Sequence, residues 1–290
     1  MLAVCAAVAL AAVPTSASAA ARNAVRVAPV TPGSRYLALG DSVTFGYEEP
    51  TVVPAPDYPD ASSFLGYPEQ LGAELHLIVA NAACPGETSS SLIDSSAQSN
   101  GCENGVSSPP GDYRTQYPLH VRYKGAQPAY AIAYLHAHPD VRLVSLMIGA
   151  NDYFVCVATT KDGCSSAAEQ RALFVKIAGN VRRILTAIRN KAHYSGQLAI
   201  VNYYSLNYAS ASDDALISAL NKTMDAAAKP FHVVVADGYR QLEAAAVNSG
   251  GNTCEAGLLS QLGSPGNCGI HPSYAGQALL AQALEMAIRL

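Results

Sequence analysis

Five short apolar runs alternate with helical patterns, and this alternation constrains the fold more than any other feature of the chain. The runs cover residues 36–39, 77–80, 141–148, 198–201 and 233–236, and each has the length of a buried strand. Between them apolar residues recur at spacings of three and four, most clearly in residues 173–188. Strands that alternate with helices favour a parallel sheet covered on both faces. We therefore predict an α/β protein with a mainly five-stranded parallel sheet.

The first 21 residues differ in composition from the rest of the chain. Residues 1–13 are wholly apolar, Pro14 interrupts the run, and small residues continue to Ala21. This pattern is typical of a secretory signal peptide, and the run is shorter than the roughly 20 apolar residues that span a bilayer. The usual basic residues at the start are missing, so we expect the true translation start to lie upstream. We predict a signal peptide at 1–21, a short extension at 22–34 and a single domain at 35–290.

The cysteines favour an exported protein stabilised by disulfides. Without Cys5 there are six cysteines, for which fifteen pairings are possible. They fall into three sequential pairs within loops rich in Gly, Ser and Pro, so we predict the bridges Cys84–Cys102, Cys156–Cys164 and Cys254–Cys268. The chain has no Cys-x-x-Cys pair and no His-Glu-x-x-His segment, and we expect no metal site.

The charge distribution argues against two classes of partner. The chain has 18 basic and 22 acidic residues, spread along its length, for a net charge of −4. We therefore expect no nucleic-acid partner and no stable membrane insertion. Residues 47–64 stand apart as a loop rich in proline and acidic residues, which could form one wall of a cleft.

Polar residues or glycine follow three of the predicted strands. Gly40-Asp41-Ser42 follows the first, Gly86 follows the second, and Asn151 follows the third. The ends of parallel strands point the same way, so these loops can share one crevice. Acyl transfer needs a nucleophile, a base and donors aimed at the developing oxyanion. Ser42 offers a hydroxyl group, and the backbone N–H groups of Ser42 and Gly86 and the amide of Asn151 can donate to an oxyanion.

Among seven histidines, His271 is the candidate base because it lies in a predicted loop beside Pro272, before a capped helix. On its position alone, however, a purely structural role is favoured for this residue. We expect Asp41 and Asp152 to support their turns rather than to react. Four tyrosines could line a pocket or simply pack in the core: Tyr153, Tyr203, Tyr204 and Tyr208.

Gly40-Asp41-Ser42, the lone Gly86, Gly149-x-Asn151-Asp152 and the late His271 resemble, in order and spacing, the four sequence blocks of the SGNH (GDSL-type) hydrolases. The resemblance covers residues 36–277 and is closest to the secreted bacterial branch of lipases and esterases with three disulfides. It implies a three-layer α/β/α sandwich and ester hydrolysis without a cofactor. By matching blocks, Ser42 is the nucleophile, His271 is the base, and Ser42, Gly86 and Asn151 form the oxyanion hole.

One position departs from the family pattern. The family usually has an aspartate three residues before the histidine, where this chain has Cys268. A backbone carbonyl, that of Cys268 or Gly269, could accept the Nδ1–H bond of His271 instead, held in place by the Cys254–Cys268 bridge. The alternative is a weakened relative that keeps only a binding cleft. We favour the first interpretation because the other site residues are all present.

The sequence thus predicts a secreted, monomeric carboxylester hydrolase that acts on small-molecule or lipid esters. Lipase, phospholipase A and short-chain or aromatic esterase activities all fit this site. A carbohydrate O-deacetylase is the alternative among enzymes, and a catalytically silent binding module is the alternative from another class.

Overall fold

The computed structural model describes residues 27–106 and 112–290. The predicted signal peptide at 1–21 and the first part of the predicted extension lie outside the described residues. The strands are β1 (Arg35–Gly40), β2 (Ile78–Asn81), β3 (Val141–Met147), β4 (Gln197–Val201), β5 (Val234–Ala236), β6 (Leu259–Gln261) and β7 (Cys268–Pro272). The helices are α1 (Ser42–Phe45), α2 (Tyr67–Glu74), α3 (Ser89–Ile93), α4 (Tyr113–Gln116), α5 (Gln127–Ala137), α6 (Ala150–Thr159), α7 (Ala167–Thr186), α8 (Ala211–Ala228), α9 (Gly238–Ala246) and α10 (Tyr274–Ala287).

The five predicted strands form one parallel sheet in the order β2-β1-β3-β4-β5. β1 pairs with β2 on one side and β3 on the other, so that Leu37 lies opposite both Ala80 and Val144. The strand order reverses between β1 and β3, and open α/β sheets bind ligands in the crevice beyond the carboxyl ends at such a point. The predicted α/β fold class is confirmed.

Helices cover the sheet in two layers. In one layer α2, α9 and α10 pack together, and α10 also contacts β4 and β5. In the other, α7 packs against α3 and α8, and α8 contacts β4. All five residues of β4 are consequently buried, as are all but one of β3. Burial on both faces explains why these strands read as continuous apolar runs.

A two-stranded antiparallel ribbon, β6 and β7, lies outside the main sheet. The sequence predicted only a loop in this region. That prediction was wrong, since β6 has only three residues and its pairing with β7 is irregular, which leaves no periodic pattern in the sequence. The ribbon carries His271 on β7 and brings Pro272 opposite Leu259. It therefore gives the candidate base a fixed backbone.

All three predicted disulfides are present. The Cα–Cα distances are 5.7 Å for Cys84–Cys102, 5.4 Å for Cys156–Cys164 and 5.8 Å for Cys254–Cys268. Each bridge closes a loop rather than linking two halves of the chain. Within residues 27–106 and 112–290, no helix has the length and apolar character to cross a membrane.

Replacing Cys254 and Cys268 together by serine should lower the free energy of unfolding by about 2–4 kcal/mol, because the bridge restricts the unfolded chain. Urea unfolding under non-reducing conditions measures this. The serine pair at Cys156 and Cys164 is the matched comparison and should cost less, because its bridge spans 8 rather than 14 residues. Equal stability of the first variant and the wild type would contradict the expectation.

Candidate active site

The turn between β1 and α1 places Ser42 at the carboxyl end of a central strand. Gly40 has φ +153°, and a Cβ at this position would lie 2.4 Å from the carbonyl oxygen of Met147. Asp41 caps α1 by accepting a hydrogen bond of 3.1 Å from the backbone N–H of Val43. Glycine and a capping aspartate are therefore both built into the turn that presents Ser42.

Two buried glutamines hold this turn from either side. Gln127 accepts a bond of 2.9 Å from the N–H of Gly40 and donates one of 2.8 Å to its carbonyl oxygen. Gln277 donates a bond of 3.0 Å to the carbonyl oxygen of Val43 and accepts one of 2.9 Å from the N–H of Tyr67. Buried hydrogen bonds of this kind fix the backbone around Ser42 before any ligand arrives.

His271 connects Ser42 to a carboxylate. Its Nε2 lies 2.9 Å from the hydroxyl oxygen of Ser42, and its Nδ1 lies 2.8 Å from Oε1 of Glu49. An ionised carboxylate can only accept, so Nδ1 carries the proton and Nε2 accepts from the Ser42 hydroxyl. Ser42, His271 and Glu49 therefore form a continuous hydrogen-bonded line.

Glu49 is held in place by the β6–β7 ribbon. Its Oε1 also accepts a bond of 3.1 Å from the N–H of Ile270, and its Oε2 accepts one of 2.5 Å from the hydroxyl of Ser260. A Cβ at residue 269 would lie 2.1 Å from Oε1 of Glu49. Gly269 thus leaves the space that the carboxylate occupies.

This arrangement corrects the expected acceptor for Nδ1. We expected the backbone carbonyl of Cys268 or Gly269 to accept this bond, whereas the structure places the Glu49 carboxylate there. The physical reason is that loop 47–64 docks on the ribbon, through a backbone bridge between Val52 and Leu262. A side chain from a distant segment therefore fills the place where the family usually has an aspartate.

The environment of Glu49 favours its ionised form. Burial on its own would raise the pKa, but the hydrogen bond and charge of His271 and the hydroxyl of Ser260 outweigh it and lower the pKa to about 2. Glu49 is therefore a carboxylate at neutral pH, able to orient the imidazole and to stabilise its protonated form.

Gly86 and Asn151 are linked by a residue that we did not predict, Asn100. The N–H of Asn100 donates a bond of 2.7 Å to the carbonyl oxygen of Gly86, and its Nδ2 donates one of 2.8 Å to Oδ1 of Asn151. Because Asn100 engages the amide oxygen, Nδ2 is the end of Asn151 that is left for a ligand. Gly86 also packs directly on Gly101, since a Cβ at residue 86 would lie 2.7 Å from its backbone.

The two aspartates beside the site, Asp41 and Asp152, accept hydrogen bonds from neighbouring residues. Asp152 accepts bonds of 2.6 and 2.7 Å from the N–H and hydroxyl of Ser89, and burial raises its pKa. Asp41 accepts from the hydroxyl of Tyr203 as well as from Val43. Burial raises the pKa of Asp41 to about 6 in spite of these bonds. The positions of both aspartates match supporting roles in their turns.

A cavity of about 510 Å³ opens over Ser42, His271, Gly86 and Asn151. Tyrosines and aliphatic or phenyl side chains supply most of the remaining wall: Tyr47, Tyr58, Tyr113, Tyr117, Phe154, Leu206, Ile217 and Ile270. All four tyrosines considered from the sequence pack in or against the main core, and Tyr203 and Tyr204 also line the cavity.

One group of potential metal ligands occurs within the described residues, at Cys84, Glu87 and Cys102. The two sulfur atoms form a disulfide, so neither can act as a thiolate ligand. This cluster therefore offers no metal site.

The sequence from residue 38 to residue 279 matches the model of the GDSL-like Lipase/Acylhydrolase family. The chain belongs to this family. The predicted membership in the SGNH (GDSL-type) hydrolases is thereby confirmed, and with it the assignment of the chain as a hydrolase.

Solved structures similar to this GDSL-family protein share its fold at low sequence identity. Phospholipase A1 from Streptomyces albidoflavus is 19% identical, with a TM-score of 0.54 over 88% of this chain and 99% of its own. An acetyl xylan esterase from Geobacillus stearothermophilus is 16% identical, with a TM-score of 0.52 over 90% and 98%. A putative GDSL-like lipase from Parabacteroides merdae is 15% identical, with a TM-score of 0.51 over 89% and 96%. A search of curated proteins found no significant match.

The residues of the GDSL-family site that were not predicted from the sequence include Glu49, Asn100 and Gln127. The sequence did indicate that the acidic loop 47–64 could form a wall of the cleft. Nothing in the sequence, however, pairs Glu49 with His271. Asn100 lies in a long polar loop without periodicity, and Gln127 reads as an ordinary first residue of a helix. All three act through contacts between distant segments.

The Glu49 carboxylate should stabilise the fold in a defined pH window. Its folded-state pKa of about 2 lies below the ordinary 4.5, so the unfolded chain binds more protons between these values. The stabilisation is complete above about pH 4.5 and is lost as the pH falls towards 2. The stability advantage of the wild type over Glu49→Gln should therefore shrink across this window, measured by urea unfolding at each pH. An advantage that stays constant with pH would contradict the lowered pKa.

Proposed function

We propose that the protein is a secreted serine carboxylester hydrolase that cleaves acyl esters through an acyl-enzyme on Ser42. The observation that carries the proposal is the hydrogen-bonded line from Ser42 through His271 to Glu49, with distances of 2.9 and 2.8 Å. A hydroxyl, an imidazole and an ionised carboxylate at these distances are the parts that nucleophilic acyl transfer needs.

The chemistry follows from the positions of these groups. The Ser42 oxygen attacks the ester carbonyl while Nε2 of His271 takes its proton, and Glu49 stabilises the imidazolium that forms. The N–H groups of Ser42 and Gly86 and Nδ2 of Asn151 donate to the oxyanion. When the tetrahedral intermediate collapses, His271 gives its proton to the departing alcohol. Water then repeats the sequence on the acyl-enzyme and releases the acid.

The presence of Glu49 weakens the case for a catalytically silent binding module. That alternative rested on the missing aspartate, at the position of Cys268. Since Glu49 supplies an acceptor of the same chemical type to Nδ1, the departure in sequence leaves no gap in the site.

Two classes of substrate are candidates for this site. The largely apolar cavity favours small-molecule or lipid esters, and the fold is shared with a phospholipase A1. A carbohydrate O-deacetylase remains the second candidate, since the fold is also shared with an acetyl xylan esterase. Turnover of p-nitrophenyl esters of rising chain length, phospholipid and acetylated xylan separates them.

The three disulfides support an extracellular location, because such bridges persist in oxidising compartments. The proposed mechanism uses side chains and backbone groups of this chain and no cofactor. A monomer that works outside the cell is part of this proposal.

Ser42→Ala should abolish ester turnover, because no other hydroxyl replaces the nucleophile. Glu49→Gln should lower kcat/KM by up to about 10⁴-fold, since a neutral amide cannot stabilise the imidazolium and does not fix its tautomer. Both are measured with p-nitrophenyl butyrate. Glu48→Gln, which removes a charge one residue away from the line, is the matched control and should retain wild-type turnover.

Gly269→Ala tests the same contact without touching a reacting group. The added methyl group requires the space of the Glu49 carboxylate, so this variant should lose activity to a similar degree as Glu49→Gln. Activity retained in Ser42→Ala would contradict the proposed function. Activity retained in both Glu49→Gln and Gly269→Ala would remove Glu49 from the mechanism.

Asn100→Ala should lower kcat about tenfold with little change in KM, because Asn100 orients an oxyanion donor that acts mainly in the transition state. Asn100→Asp presents an acceptor to Asn151 and should rotate its amide, with at least the same loss. Asn104→Ala, in the same loop, is the control. A rise in KM with kcat unchanged would indicate substrate binding instead of oxyanion positioning.

A further inference from the structure

One side of the cavity is built from four tyrosines, which we call the tyrosine wall: Tyr47, Tyr58, Tyr113 and Tyr117. Two come from loop 47–64 and two from the region of α4. Their rings contact one another, with centroid distances of 5.9 Å for Tyr47–Tyr58, 5.1 Å for Tyr58–Tyr117 and 5.4 Å for Tyr113–Tyr117. The wall is therefore one continuous aromatic surface.

Packing behind the wall keeps it in place. Phe64 lies parallel to Tyr47 at 6.1 Å, and Phe45 contacts both Phe64 and Tyr113 at 5.2 Å. The hydroxyl of Tyr58 donates a bond of 2.7 Å to the carbonyl oxygen of Glu48. A surface held in this way is preorganised, so a ligand does not have to order it.

The wall adjoins the residue that serves the departing alcohol. The Tyr47 ring lies edge-on to the imidazole of His271 at a centroid distance of 4.9 Å. In the proposed reaction Nε2 of His271 must reach the oxygen of the leaving group. The leaving group is therefore placed beside Tyr47, and the rest of the wall extends away from that point.

The charges around the cavity restrict what this leaving group can be. The described residues that line the cavity include no lysine or arginine, and the carboxylate of Glu49 lies directly behind the imidazole of His271. A phosphate-bearing headgroup would have no cationic partner and would be repelled by this carboxylate. Aromatic rings, in contrast, pair favourably with one another in edge-on and offset arrangements.

We propose that the tyrosine wall is the binding site for the alcohol part of the substrate and that this alcohol is an uncharged aromatic one, a phenol or arylmethanol. This inference rests on the proposed function, because it uses the direction of proton transfer from His271. The other apolar lining residues, Phe154, Leu206 and Ile217, follow β3 and β4 rather than β1 and β2, and they are left for the acyl chain.

Binding of product alcohols to Ser42→Ala tests the subsite without turnover. By calorimetry, 2-naphthol should bind at least about tenfold more tightly than decahydro-2-naphthol, which has the same carbon skeleton without aromatic rings. Tyr117→Leu, added to Ser42→Ala, should remove most of this preference. Tyr117→Phe should keep it, since the ring remains. Tyr274→Leu makes the same change at an exposed residue outside the lining set and should leave the preference intact.

Equal affinity for the two alcohols, or a preference that Tyr117→Leu leaves unchanged, would overturn the inference. Tyr117 is only partly buried, so its replacement should leave the fold intact, and circular dichroism of each variant checks this. Failure of the proposed function appears separately, as ester turnover that survives Ser42→Ala.

Discussion

The contact between Glu49 and His271 is the interaction on which the rest of the site depends. It joins residues 222 positions apart and brings three separate segments together: the turn after β1, loop 47–64 and the β6–β7 ribbon. The ribbon is shaped to hold the Glu49 carboxylate. Ser260 and the N–H of Ile270 bind the carboxylate, and Gly269 leaves room for it. Without this contact the imidazole would keep its reach to Ser42 but lose the partner that fixes its tautomer.

The second constraint is the sheet, because the loops that carry the site residues all begin at the carboxyl ends of its strands. Ser42, Gly86 and Asn151 follow β1, β2 and β3, whose carboxyl ends surround the point where the strand order reverses. Gln127 and Gln277 then lock the Ser42 turn through its backbone, and Asn100 locks the Gly86 and Asn151 loops to each other. The site is thus rigid because buried polar side chains satisfy backbone groups in the loops themselves.

Features set by residues close together in the sequence could be predicted, whereas contacts between distant residues could not. The five strands of the sheet and the turn at Ser42 depend on local periodicity and turn chemistry, and the structure has them within one or two residues. The disulfides followed because each joins neighbouring cysteines in the chain. The ribbon was missed because a strand of three residues leaves no periodic signal. Glu49 and Asn100 were missed because each has a role only through a partner brought close by the fold, and a single sequence contains no record of such pairs.

Loop 47–64 supplies both Glu49 and half of the tyrosine wall, and Tyr47 lies only two residues before Glu49. One short surface segment therefore carries the proposed partner of the base together with half of the proposed alcohol site. A change in length or conformation of this loop would move both at once. In the proposed enzyme, the support of the base and the choice of alcohol would then change together, while the sheet that holds Ser42 stays the same.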